Sequence, residues 1–301
     1  MKKNIIEHLH SQGLIKPPSF VLGGLQYLAM MGSEAYGVSS NSSDIDVYGF
    51  CIPPKNYTFP HLDGYIYGFG MKPQGFEQFQ QHHVYDSSNQ KEYDLTVYSI
   101  VKYIDLCMGN NPNMIDSLFV PTRCVLHATK IAEIVRERRK DFLHKGAWHS
   151  FKGYAYAQMR KIDVKTPEMG SKRAELVDKY GFDIKFAYHV VRLLNEVEQI
   201  LIEGDLVLDK NREQLKAIRE GMWTLEQVKE YFYEKEKTLE EVYNKSTLPW
   251  GPDEGKIKGI LMSCLEEFYG SLEGCEASEQ SLQRAFSQMA QIVDNNRKLI
   301  I

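Results

Sequence analysis

The sequence predicts an α+β fold, with a strand-and-helix region over residues 1–127 followed by an α-helical region over residues 128–301. Three observations carry this reading. In the first region, short apolar runs are bounded by turn residues among abundant glycine, proline, serine and tyrosine. In the second, apolar residues recur at helical spacing in successive segments joined by short loops. One strand of the first region also carries two aspartates separated by a single residue, which places both on one face.

Taken in chain order, residues 4–12 read as a short amphipathic helix. Residues 25–31 form an apolar run ending at Gly32, and residues 44–52 a second run ending at Pro53-Pro54. Both read as strands. Residues 55–90 read as a long, turn-rich insertion. Within it His61, His82 and His83 read as loop residues, because adjacent histidines in a strand face opposite ways and serve one ion poorly. Residues 92–99 alternate, with Tyr93, Leu95 and Val97 on one face and Asp94, Thr96 and Tyr98 on the other. A helix over 100–108 stops at Gly109-Asn110-Asn111-Pro112, and another follows over 113–119. Helical periodicity then covers 128–143, 149–162, 183–202, 211–220, 224–244 and 256–272, with loops at 166–171, 204–205 and 249–255.

Composition narrows the functional class. Among 301 residues, 43% are hydrophobic and 25% charged, as in ordinary globular proteins. No stretch approaches the roughly 18 apolar residues of a membrane span. The start, Met-Lys-Lys-Asn-Ile-Ile-Glu, is charged within its apolar stretch and does not read as a secretory signal. Cys51, Cys107, Cys124, Cys264 and Cys275 show no Cys-x-x-Cys spacing. That pattern fits a cytoplasmic protein with reduced thiols better than a disulfide framework or a zinc site. A net charge of −4 gives no global basic surface. Local basic candidates are 136–140, which reads first as a solvated helix face, and 161–173.

The richest segment runs from Gly32-Ser33 to Asp44-Ile-Asp46. Asp44 and Asp46 share a face while Ile45 and Val47 turn to a core, and two bare carboxylates side by side call for a hard divalent cation, Mg²⁺ foremost. Gly32 permits close backbone approach, and Ser33 adds a hydroxyl suited to phosphate oxygens. Asp94, on the polar face of its own strand, is a candidate third ligand. On the helix beginning near residue 183, Lys185, His189 and Arg192 recur at i, i+4 and i+7 beside Tyr188, a cationic stripe suited to a triphosphate, though periodicity alone slightly favours a solvated basic face. Neither a Gly-x-Ser-x-Gly elbow nor Walker spacing is present.

With Gly32-Ser33, Asp44-x-Asp46 and Asp94 in this order, the chain resembles the DNA polymerase β-type nucleotidyltransferase superfamily. It is similar in particular to a bacterial and phage branch in which some members are encoded beside RNA ligases. Further similar segments are Asp94-Leu-Thr-Val-Tyr-Ser, Gly109-Asn-Asn-Pro-Asn-Met-Ile-Asp, Tyr180-Gly-Phe-Asp-Ile-Lys-Phe-Ala with His189-Val-Val-Arg192, and Ser246-Thr-Leu-Pro249. The resemblance implies a palm of mixed sheet and helices closed by a helical domain. It implies that Asp44 and Asp46 bind two metal ions, Mg²⁺ or Mn²⁺, and that Asp94 assists the acceptor hydroxyl. By the same resemblance Gly32 and Ser33 hold an NTP's triphosphate, and Lys185 and His189 line the cleft. The reaction expected is transfer of a nucleoside monophosphate to an acceptor hydroxyl, RNA being the preferred acceptor (tRNA or a cleaved end). The alternatives are the same chemistry on a protein or small molecule, and a nucleotide-binding regulatory module without turnover.

Overall fold

Strand pairing organises the molecule around one mixed five-stranded sheet with the order β3-β4-β2-β1-β5. The structure is a computed structural model that describes residues 3–39, 44–66, 68–71, 75–164 and 172–273, together with 275 and 289. The expected loop at 166–171 and most of the basic stretch 161–173 lie outside the described residues.

The chain opens with α1 (Ile5–Ser11), fixed by a capping box in which Asn4 and Glu7 each accept the other's backbone N–H at 3.0 Å. Helix α2 (Ser19–Gly24) runs directly into β1 (Leu25–Met30), and β2 (Ile45–Cys51) pairs antiparallel with β1. The segment expected as a loop instead contains α3 (Lys55–Thr58), a 3-10 turn (Pro60–Asp63) and a nine-residue strand, β3 (Gln78–Asp86). Strand β4 (Lys91–Ser99) lies between β3, antiparallel, and β2, parallel. That parallel pairing needs a crossover, and residues 52–90 supply it.

Helices α4 (Ile100–Met108) and α5 (Pro112–Phe119) meet at a tight turn whose Asn110 is buried. Its doubled asparagine has two separate tasks. Asn110 takes a left-handed conformation (φ 49°) and donates its side-chain amide to the Phe142 carbonyl at 2.7 Å. Asn111 caps α5 by accepting from Asn113 and Met114 N–H. The short edge strand β5 (Val125–Ala128) follows, then α6 (Lys130–Glu137), α7 (Ala147–Val164), α8 (Lys172–Tyr180), α9 (Ile184–Glu203), α10 (Arg212–Arg219), α11 (Leu225–Lys245) and α12 (Glu254–Tyr269). No helix among the described residues is long and apolar enough to cross a membrane.

The two faces of the sheet bury different partners. On one, Val47, Leu95 and Val97 pack with Ile6, Leu9 and Val21 of the first two helices. On the other, Tyr27 and Phe50 join an apolar cluster with Tyr103, Phe151, Val191, Phe232 and Ile260. This cluster runs without a break across residue 127, so the sheet and the later helices share one core.

Gly49 marks the tightest point between β1 and β2. A Cβ there would stand 1.9 Å from the Tyr27 carbonyl oxygen and 2.9 Å from Leu28 Cδ2. Gly49→Ala is therefore expected to lower unfolding stability by about 1–3 kcal/mol through overpacking. Gly75→Ala, where nothing lies within 4 Å, is expected to stay within about 0.5 kcal/mol of wild type. Urea denaturation of both variants checks this, and equal stabilities would refute the close-approach argument.

Candidate active site

Parallel register sets Asp46 of β2 directly opposite Asp94 of β4. Asp44 sits exposed one residue before β2, and Ile45 and Val47 pack on the far face. Strand spacing of about 4.8 Å brings the two in-register carboxylates into mutual repulsion. Burial first, then the charges of Asp94 and Asp44, push the Asp46 carboxyl up to about 6, against the relief that Lys185 and His82 provide. Lys185 lies in the first turn of α9, just after its cap Asp183. The first turn of α9 thus places a cation near the Asp46 carboxylate.

Gly32 touches the same carboxylate. Its φ is +63°, and a Cβ on it would fall 2.4 Å from Asp46 Oδ2. Any side chain at position 32 would be strained and would displace that oxygen. The backbone here is tied down by Met31 N–H donating to the Asp46 carbonyl at 2.8 Å, and Val38 N–H donates to the Ser33 carbonyl at 2.9 Å. Residues 40–43, between this loop and Asp44, lie outside the described residues.

A bulge in β3 holds Asp94 from the other side. The register slips between Gln81 and Val84, and His83 adopts φ 54°. The bulge aims His83 N–H at Asp94 Oδ1 (2.8 Å) and brings His82 Nδ1 to 3.4 Å from Asp94 Oδ2. Gln80 Nε2 lies 2.8 Å from His82 Nε2. His82 and His83 are thus strand residues beside the carboxylates, which corrects their reading as loop residues. The sequence before the pair, Gln-Phe-Gln-Gln, holds a single apolar residue and gives no alternation from which a strand could be read.

The structure therefore brings together Gly32, Asp44, Asp46, Asp94 and Lys185, with His82 added. Along the first part of α9 only Lys185 and His189 escape full burial, and His189 packs edge-on to Tyr188 with ring centroids 5.0 Å apart. Arg192 is placed elsewhere. It is 3% exposed and paired with Asp116 and Glu196 inside the protein, so the cationic stripe stops at His189. Lys172 and Arg173 have side chains outside the described residues. Among the described residues no group of three or more His, Cys, Asp or Glu side chains is gathered to grip a metal ion unaided. A groove of about 510 Å³ between α5, α6 and residues 206–209 is lined by none of these side chains.

No curated protein matches the chain. The solved structure of a nucleotidyltransferase-like protein from Exiguobacterium sibiricum 255-15 aligns over 79% of this chain and 73% of its own, with 10% identity and a TM-score of 0.28. Residues 8–248, most of the chain, match the RNA repair pathway DNA polymerase beta family (RlaP). The chain belongs to that family and is a nucleotidyltransferase.

Proposed function

We propose that the chain transfers a nucleoside monophosphate from an NTP to a hydroxyl at an RNA end, with Mg²⁺ held by Asp44, Asp46 and Asp94. The observation that carries this is the in-register Asp46–Asp94 pair, with Asp46 pressed against Gly32 and relieved by Lys185. The donor set fits a hard cation, since burial and the neighbouring carboxylates leave Asp46 short of positive charge. Mg²⁺ is commonly bound by one or two carboxylates plus substrate phosphates, and seldom by an all-protein cage. When bound, the ion would neutralise the phosphates and favour ionisation of the acceptor hydroxyl.

The chain's own groups supply the rest. Gly32 lets the backbone approach the triphosphate, and Ser33 offers its hydroxyl to a phosphate oxygen. Lys185 places positive charge where the phosphates gather. Asp94, steered by His83 N–H and His82, accepts the acceptor's proton as its oxygen bonds to the α-phosphorus. The bond from that phosphorus to the bridging oxygen breaks, and pyrophosphate leaves with the electron pair.

Incubation with each α-labelled NTP, Mg²⁺ and total RNA plus protein is expected to place label in RNA. Label confined to protein would overturn the choice of acceptor. EDTA is expected to stop transfer and excess Mg²⁺ to restore it. Asp46→Asn is expected to cut transfer by about 10³-fold or more, roughly 4 kcal/mol. Lys185→Ala is expected to cost about 1.5–3 kcal/mol in kcat/KM, the range of a hydrogen bond to a charged group. Transfer that survives Asp46→Asn would refute the metal assignment.

A further inference from the structure

Two arginines of the helical region hold the Gly32–Ser33 loop from behind. Tyr36, four residues past Gly32, donates its hydroxyl to Asp116 Oδ2 at 2.6 Å and accepts from Arg192 Nη1 at 2.5 Å. The Arg192 guanidinium also lies over the Tyr36 ring, 4.5 Å from its centroid. On the far side Arg192 bonds Glu196 at 3.1 Å. The loop's exit is tethered as well, because Arg219 Nη1 donates to the Val38 carbonyl at 2.7 Å while Val38 N–H bonds Ser33. Tyr36 N–H closes the turn on the Gly32 carbonyl at 3.3 Å.

A buried arginine with two buried carboxylates is a poor way to stabilise a fold, since desolvation offsets most of the attraction and apolar residues do as well. What such a cluster does supply is direction: fixed donors and acceptors that admit one placement of the groups they bind. Here the group bound is the loop. Lys185 and Arg192 stand on one rigid helix, so α9 sets the position of both the cation near Asp46 and the anchor under Tyr36.

We propose that Arg192 and Arg219 are positioning residues that fix the Gly32–Ser33 loop at the spacing required by the terminal phosphates of a nucleoside triphosphate. The proposal rests on the reading of that loop as a triphosphate cradle. If it holds, loosening the anchor weakens recognition of the terminal phosphates and leaves the nucleoside monophosphate portion alone.

The experiment is calorimetric titration of the full chain with ATP and with AMP, each with Mg²⁺. Tyr36→Phe is expected to weaken ATP about tenfold, the worth of a charge-assisted hydrogen bond, with AMP affinity unchanged. Arg219→Met, which removes the second tether, is expected to give the same ATP-selective loss and serves if Tyr36→Phe fails to fold. Glu196→Gln lies in the same cluster but bonds Arg192 alone, and it is expected to hold the ATP-to-AMP ratio within about twofold. Equal loss of ATP and AMP, no loss of ATP, or an equal ratio change in Glu196→Gln overturns the proposal. Wild-type protein that does not bind ATP would sink the cradle reading and this proposal together. ATP binding that is indifferent to both tethers would sink the proposal alone.

Discussion

Two acidic residues in register on adjacent parallel strands form the constraint from which the rest of the site follows. Asp46 and Asp94 cannot separate without breaking the β2–β4 pairing, and that pairing runs through all seven residues from Ile45 to Cys51. Their repulsion is built into the sheet. Burial is the larger cause and this repulsion adds to it, and raising Asp46 from 3.8 to about 6 corresponds to about 3 kcal/mol of destabilisation. Because the folded carboxyl is the weaker acid, this cost is carried in full above about pH 6 and fades as the pH falls toward 3.8. The neighbourhood is arranged around it. Gly32 leaves room for the Asp46 oxygen, Lys185 supplies charge, and the β3 bulge turns His83 N–H and the His82 ring toward Asp94.

The helical region is part of this arrangement. Sheet and helices share one apolar cluster, and the Arg192 network joins the loop after β1, helix α5 and helix α9 at a single buried point. Burial works against the Arg192 charge, but Glu196, Tyr36 and Asp116 more than offset it, so the guanidinium stays charged. Burial raises both Asp116 and Glu196, with the Arg192 cation pulling back. One cation between two desolvated carboxylates is a stiff joint, because moving any member strands a charge. The walls of the cleft are thereby coupled through α9 and its neighbours.

Much of this was legible in the residue pattern. Apolar runs ended by turn residues located β1 and β2, and alternation located β4, each to within one residue, and the Asp44-x-Asp46 spacing with Asp94 on a polar strand face pointed to one cleft. Three features were not legible, for different reasons. Ahead of the His82–His83 pair a single apolar residue gives no alternation, and a bulge adds a residue at the pair, so a strand looked like a loop. Arg192 fell on a basic helical stripe because periodicity reports which residues share a face, while the carboxylate waiting for that face came from Asp116, far away in sequence. β5, only four residues long, has too few positions for alternation to register.

The distribution of positive charge bears on how a polyanionic acceptor would be held. The basic run at 136–140 is mostly committed within the protein. Arg136 donates to the Val120 carbonyl, Arg138 pairs with Asp141, Lys140 pairs with Asp205, and the Arg139 guanidinium lies over the Phe119 ring. Charges spent in this way attract phosphates weakly, and the net charge of −4 adds no long-range pull. On the proposed reading, the acceptor is therefore selected at short range, where Asp94, the β3 bulge and Lys185 converge. Long-range electrostatic capture, which supplies most non-specific nucleic-acid affinity, gains little from the committed charges of residues 136–140. Recognition then depends on the shape and hydrogen bonding of one terminal group, which suits an enzyme that acts on ends.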